Sequence, residues 1–328
     1  MPKFILLLLI LLGVRLLIFI VFPPPVIIQK NPIRETTIFT QIKDHIRQVY
    51  SQNLSGQQSA LLMGIVFGDK GVDRESLKTY QQTGVLHVIA ASGMNVSMLT
   101  SFLLAGLLVF FRRQQALILT FFAIIFYTAL ADFQPSIVRA AIMAGAALGA
   151  GVLGRQNTSL LALFFAAFAM VFWDPAVLVS ISFILSFAAT LGIILLDPLF
   201  KNFLKGEIFE DFRTTLAAQI ATTPIILFFF GTYSPASVPV NFLVLWTVPP
   251  LMLLGGIAAI LSFIPILAAP FVLLCLPLLD YFNGVVDFFA RYSVQINLKT
   301  IPWTAVFGYY LISLALIIWL RKKVHARV

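Results

Sequence analysis

The sequence predicts an all-α, polytopic membrane protein of about ten transmembrane spans, with amphipathic helices at its outer face. Three observations predict it. Hydrophobic residues make up 60% of the 328 and charged residues only 11%, against about 45–50% and about 25% in soluble globular domains; the mean hydropathy is +0.99. The apolar residues fall in runs of spanning length. The Lys and Arg residues gather at alternate ends of those runs.

The first run, Phe4 to Phe22, follows Lys3 and is interrupted by Arg15. It is long enough to cross a hydrocarbon core of about 30 Å at about 1.5 Å per residue. Pro23-Pro24-Pro25 follows, where a signal peptide would show a small-x-small cleavage site, so residues 1–22 read as an N-terminal anchor. Residues 23–83 are the one long polar segment, read as extracytoplasmic. In it Ile38, Ile42, His45, Ile46, Val49 and Tyr50 recur at helical spacing, which predicts an amphipathic helix. An apolar patch from Ala60 to Phe67 ends at the turn signal Gly68-Asp69-Lys70-Gly71, and Asp73 caps a further short helix. These helices are expected to lie on the membrane face.

Residues 84–320 form the polytopic domain, with runs near 85–111, 115–131, 136–153, 158–172, 176–196, 214–231, 238–263, 266–290 and 303–320. Residues 321–328 are a basic tail. With the tail in the cytoplasm, ten spans also place Lys3, Arg112, Arg113, Arg155, Lys201, Lys205 and Arg213 inside, and the short outer loops keep only Arg291 and Lys299. Both termini are therefore expected on the cytoplasmic side. The same bias accounts for much of the net charge of +9 without invoking nucleic acid.

The stretch Gly84 to Leu99 stands out, because His87, Ser92, Asn95 and Ser97 interrupt apolar sequence. In a bilayer core such groups need partners, so they face either other helices or a solvated passage. Arg139 lies four residues past Pro135; it either snorkels outward or needs an acid or a wet cavity. Ser182, Ser186 and Thr190 form one stripe of a helix. Gln219, Thr222 and Thr223 share a face before Pro224, and the carbonyl that Pro224 frees must be met by Thr, water or a neighbour. Pro249-Pro250 interrupts a second run after Asn241, so either kinks or broken helices lining a cavity follow. Asp280, Asn283, Gly284 and Asp287 lie on one side of a helix. Asp280 is the expected partner of Arg139; a proton or cation pathway is the competing use of these acids.

Several chemistries are excluded. There is no P-loop motif, the single Cys275 gives no disulfide framework, and His45, His87 and His325 are too scattered to build a metal centre. Ser92 and His87 are five apart and lack an orienting acid, which argues against a serine hydrolase. No catalytic residue, metal or cofactor is expected.

The run Ala60 to Asp69, followed by Tyr80-x-x-Thr83-Gly84-x-x-His87-x-x-Ala90-x-Ser92-Gly93-Met94-Asn95-Val96, resembles the ComEC competence domain, the inner-membrane DNA channel of natural transformation. Pro135 to Ala140, Arg155-Gln156-Asn157, Asp174-Pro175, Ser182 to Gly192, Gln219-x-x-Thr222-x-Pro224 and Ser237 through Pro249 follow in the family's order. The resemblance implies passage of single-stranded DNA into the cytoplasm. Many members carry an external OB-like domain and a metallo-β-lactamase-like domain, and this sequence looks like the channel core alone; either a DNA-binding receptor, a nuclease and a cytosolic motor on other chains supply the missing parts, or the gene is reduced. The family's Ser-Gly-Leu-His reads Ser92-Gly93-Met94-Asn95, which can hydrogen-bond but cannot carry a proton.

A path for an anionic strand needs neutral donors, aromatic faces and few fixed charges. The candidates are His87, Ser92, Gly93, Asn95, Arg139, Gln219, Thr222, Thr223, Pro224 and Asn241, with Arg139, Asp280 and Asp287 as ion-pair or proton-path candidates. The sequence thus points to a DNA channel that is not itself an enzyme, with single-stranded DNA and lipid as partners. A proton-coupled transporter of a small or lipid-like substrate is the alternative, and a membrane scaffold a third reading. Nothing in the sequence signals an oligomeric state.

Overall fold

A computed structural model describes residues 11–17, 38–69, 71–89, 92–154, 158–201, 203, 204, 206, 209–292, 296, 297 and 302–325. Most of the first span, the Arg155-Gln156-Asn157 motif and the end of the basic tail lie outside the described residues. The helices are α1 (residues 11–17), α2 (Ile38–Ser51), α3 (Gly56–Phe67), α4 (Arg74–Thr83), α5 (Leu86–Ile89), α6 (Gly93–Phe110), α7 (Arg113–Leu130) and α8 (Pro135–Val152). There follow α9 (Ser159–Trp173), α10 (Ile181–Phe200), α11 (Glu210–Phe230), α12 (Ser237–Val244), α13 (Val248–Ile260), α14 (Pro265–Tyr292) and α15 (Trp303–His325). Among the described residues seven helical stretches are long and apolar enough to cross a membrane, and α9 and residues Trp303–Ile318 of α15 are shorter apolar helices. The fold is therefore an all-α polytopic membrane protein, with one short antiparallel ribbon in which β1 (Thr232–Tyr233) pairs with β2 (Ile296–Asn297).

The apolar run near 85–111 is not one helix. After α5 the backbone is extended at Ser92 (φ −111°, ψ 170°), and α6 starts at Gly93. Ser followed by Gly favours a helix start over a helix interior, and the break follows. The proline pair also breaks its run. The chain passes from α12 through a 3-10 turn at Leu245–Thr247 into α13, with Pro249 and Pro250 in the first turn, where a missing N–H costs no hydrogen bond.

α3 departs from the expected surface position. Leu61, Leu62, Met63, Ile65 and Val66 are all at most 4% exposed, so this helix is covered all round. It joins α2, α4, α5, α13 and α14 in the main core. Gly255 of α13 sits against it; a Cβ there would lie 2.8 Å from Val66. Ser55 and Gln58 form a reciprocal capping box at its start, and Gly68 (φ 68°) ends it in the left-handed conformation. Smaller cores join α6 to α8, and α1 to α8, α9 and α10. Arg15 in α1 donates from Nε to the Phe172 carbonyl at 3.1 Å, so the charge that interrupts the first run closes the end of α9.

α14 runs back along α12 and α13: the Tyr281 hydroxyl donates to the Leu243 carbonyl at 3.2 Å. The tip of this hairpin, near Ser262, touches α2, where His45 Nε2 lies 3.1 Å from the Ser262 carbonyl and its ring stacks on Phe263. Two residues away, Lys43 pairs with Asp132 at 2.7 Å, in the turn between α7 and α8. A bilayer core of about 30 Å cannot separate groups linked this closely. The loop at 261–264 therefore lies on the same side as 131–134. The alternation of sides expected from the charges would have put the two loops on opposite faces.

Candidate functional site

The predicted polar residues gather in three places, and each is built from the element that carries it. The first is the carboxyl end of α3. A helix leaves its last carbonyls without donors, and here three successive segments supply them. Asn95 Nδ2 donates to the Ile65 carbonyl at 2.7 Å, the Tyr127 hydroxyl to Val66 at 2.9 Å, and Gln134 Nε2 to Gly68 at 2.9 Å. Asn95 is fully buried, and its Oδ1 accepts from the Ser92 hydroxyl at 3.1 Å. So Asn95 acts as a donor to backbone, a task that histidine can also perform. Tyr127 and Gln134 were not legible as members, since a tyrosine or glutamine near the end of an apolar run marks only that some partner is needed.

The second place surrounds Arg139, which is 7% exposed. Its Nη1 donates to the Ser186 carbonyl, which also accepts from the Thr190 hydroxyl, and its guanidinium carbon lies 5.9 Å from the centre of the Phe187 ring. Gly93 is packed on its other side, where a Cβ would lie 2.3 Å from Nη2. Arg139 does not meet Asp280. That carboxylate accepts from Gln58 Nε2 at 2.6 Å and is exposed. α14 packs its acidic side on α3 and α4, so Asp280 faces Gln58, and Asn283 accepts from the buried Tyr80 at 3.0 Å. Burial first, then the charges of Asp287 and Asp73, push the Tyr80 phenol up to about 12. The expected ion pair fails because the tip at 261–264 lies on the side of 131–134: α14 starts there and carries Asp280 fifteen residues away from the end of α8 that holds Arg139.

The third place surrounds Gln219. Its Nε2 donates to Ser237 Oγ at 3.0 Å, and its Oε1 accepts from the Tyr233 hydroxyl at 3.2 Å. Gly84 (φ 74°) closes against Ser237, where a Cβ would meet the Ser237 Cβ at 2.3 Å, so only glycine fits this turn. His87 holds the same turn, with Nδ1 3.1 Å from the Gly84 carbonyl. Asn241, one turn past Ser237, is 1% exposed, and its Oδ1 has no partner among the described residues. Thr222 bonds back to the Ala218 carbonyl at 2.9 Å, Thr223 is half-buried beside it, and Pro224 is buried. The carbonyl that Pro224 frees, on Ile220, is met by a neighbour, the Tyr309 hydroxyl of α15. The Tyr309-Tyr310 pair was missed; two hydroxyls in an apolar run were the signal.

Gln219 precedes the end of α11 at Phe230 by eleven residues, about 16 Å at about 1.5 Å per residue. Yet Ser237, only seven residues beyond that end, reaches it. The segment 231–236 therefore folds back alongside α11, and α12 begins at the depth of Gln219. Non-helical backbone at such depth is tolerated only inside protein or beside a water-filled cavity. The sites at Gln219 and Asn95 are thus joined by the chain from Gly84 to Asn95 but share no hydrogen bond. A cavity of about 580 Å³ between α7, α8 and α9 is lined by apolar residues such as Phe121, Ile142 and Phe165, and by none of the predicted path residues.

The sequence has known relatives. The chain is 29% identical over 222 residues to ComE operon protein 3 of Bacillus subtilis (strain 168), an alignment covering 67% of this chain and 28% of that protein. It is 27% identical over 261 residues to a protein of Aquifex aeolicus (strain VF5) named only "Uncharacterized protein", covering 78% of this chain and 60% of the other. It thus spans less than two thirds of either relative. No solved structure matches it. The family described as "Competence protein" matches residues 65–323, from the end of α3 through most of α15 and across all three polar sites. The chain belongs to the Competence protein family.

Proposed function

We propose that this chain is the membrane core of a DNA-uptake system, conducting one strand of DNA across a bacterial inner membrane into the cytoplasm. The observation that carries the reading is the fold-back of residues 231–236 to the depth of Gln219. It sets uncharged hydrogen-bonding groups and a broken helix inside the bilayer, the materials of a path whose contacts are weak enough to release a polyanion. Family membership supports the substrate class. In this reading Gln219, Ser237 and Asn241 touch the strand, while Asn95 holds the wall behind it. The chain itself performs no bond chemistry; a receptor, a nuclease and a motor on other chains present, trim and pull the strand.

Uptake of labelled donor DNA tests the proposal. Deleting the gene abolishes entry into the cytoplasm while surface binding of DNA persists, and Gln219→Leu reproduces the defect with normal protein levels. Undiminished entry in the deletion strain overturns the reading, and so does loss of a small-solute flux with DNA entry intact.

A further inference from the structure

The surroundings of Arg139 are electrostatically unbalanced. Its guanidinium is 7% exposed, and among the described residues Nε has no hydrogen-bond partner and no carboxylate bonds to the group. It lies against Gly93, the first residue of α6, closely enough that any side chain there would displace Nη2. An α-helix start carries about half a positive elementary charge, together with amides that have no acceptor within the helix. Ser92, the residue placed to cap that start, makes no side-chain cap bond; its hydroxyl donates to Asn95 Oδ1. Two positive features thus lie side by side in a place of low dielectric, and an anion that reaches both relieves each.

We propose that Arg139 and the amino end of α6 form a binding site for one phosphodiester group of the translocating strand. This deepens the conduit reading and rests on it. A phosphodiester is the chemistry that suits the pair: a monoanion whose two free oxygens meet the forked guanidinium donors and the amides of Gly93 and Met94 together. A single such contact also permits movement, since the strand leaves it by exchanging one phosphate for the next. Phospholipid headgroups carry the same group, and the experiment separates the two sources.

The test is binding of a fluorescent single-stranded oligonucleotide to the full chain, purified in phosphate-free detergent and followed by anisotropy. The same oligonucleotide with uncharged methylphosphonate linkages serves as the second probe. Arg139→Gln weakens the charged probe about tenfold, the worth of one charge-assisted contact, and leaves the methylphosphonate probe unchanged. Gly93→Ala has the same effect by driving the guanidinium off the helix start. Arg139→Lys keeps the charge but loses the fork, gives an intermediate loss, and carries the test should Arg139→Gln fail to fold. Equal affinity of wild type and the Arg139 variants for the charged probe overturns the site. Stabilisation by phosphatidylglycerol that depends on Arg139, with none from the oligonucleotide, also overturns it and marks a lipid site instead. In either case the conduit reading stands on DNA entry in the deletion strain, a measurement that these outcomes do not touch.

Discussion

The hydroxyl of Tyr309 donates to the carbonyl of Ile220 at 2.9 Å, and that carbonyl is the one Pro224 leaves without its helical donor. The last helix is thus fastened to α11 at the point where α11 is broken. Tyr310 adds a second bond, to Ala221 at 2.6 Å, but that carbonyl keeps its own helical partner. Tyr309→Phe lowers stability by about 1–3 kcal/mol, the cost of an orphaned acceptor. In a Pro224→Ala background the cost of Tyr309→Phe falls toward zero, while that of Tyr310→Phe does not change. Thermal unfolding in detergent, arranged as a double-mutant cycle, checks this.

Asn95→Leu strips the Ile65 carbonyl of its donor inside the core and costs about 1–3 kcal/mol. Asn95→His restores a donor and recovers most of that loss. Equal behaviour of the leucine and histidine variants in thermal unfolding would contradict the role derived for this amide.

The contact between His45 and Ser262 fixes a side. Cysteines introduced singly at Phe263 and Phe133 react with a membrane-impermeant maleimide from the same face of sealed cells, and one at Arg112 reacts only from the other. The native Cys275 is buried and stays silent. Labelling of position 263 from the Arg112 side would place the hairpin tip across the membrane.

Asp73 caps α4. Hydrogen bonds from the backbone and side chain of Ser76 hold its carboxyl below the ordinary aspartate value. A lowered carboxylate contributes stability that is present in full above the unfolded value and is lost as pH falls through the folded one. Protection of the Glu75 and Ser76 amides from hydrogen exchange therefore holds near neutrality and declines only below about pH 4. Asp73→Ala removes about 0.5–2 kcal/mol from the helix and makes the protection flat across that window.

The apolar runs, the break at Pro249-Pro250 and the demand created by Pro224 were legible because they are local. Hydrophobic length, a missing N–H and a freed carbonyl follow from the chain at that point. The occupants of those demands were not legible. That Tyr309 meets Ile220, that Asn95 meets Ile65, and that Asp280 turns to Gln58 rather than to Arg139 depend on which helices become neighbours. The burial of α3 escaped for the same reason. Its twelve residues are too short to span and carry no charge after Ser55, so the segment fits a membrane surface and a protein core equally until its covering helices are known.

Arg15 and its acceptor on Phe172 are separated by 157 residues. At a ribosomal rate of about 5–20 residues per second, the acceptor is made roughly eight to thirty seconds after the donor. Throughout that interval the first helix must keep its cation among phospholipid headgroups. It takes its seat beside α9 only when α9 has been inserted, so a contact of this early helix waits on a segment made much later.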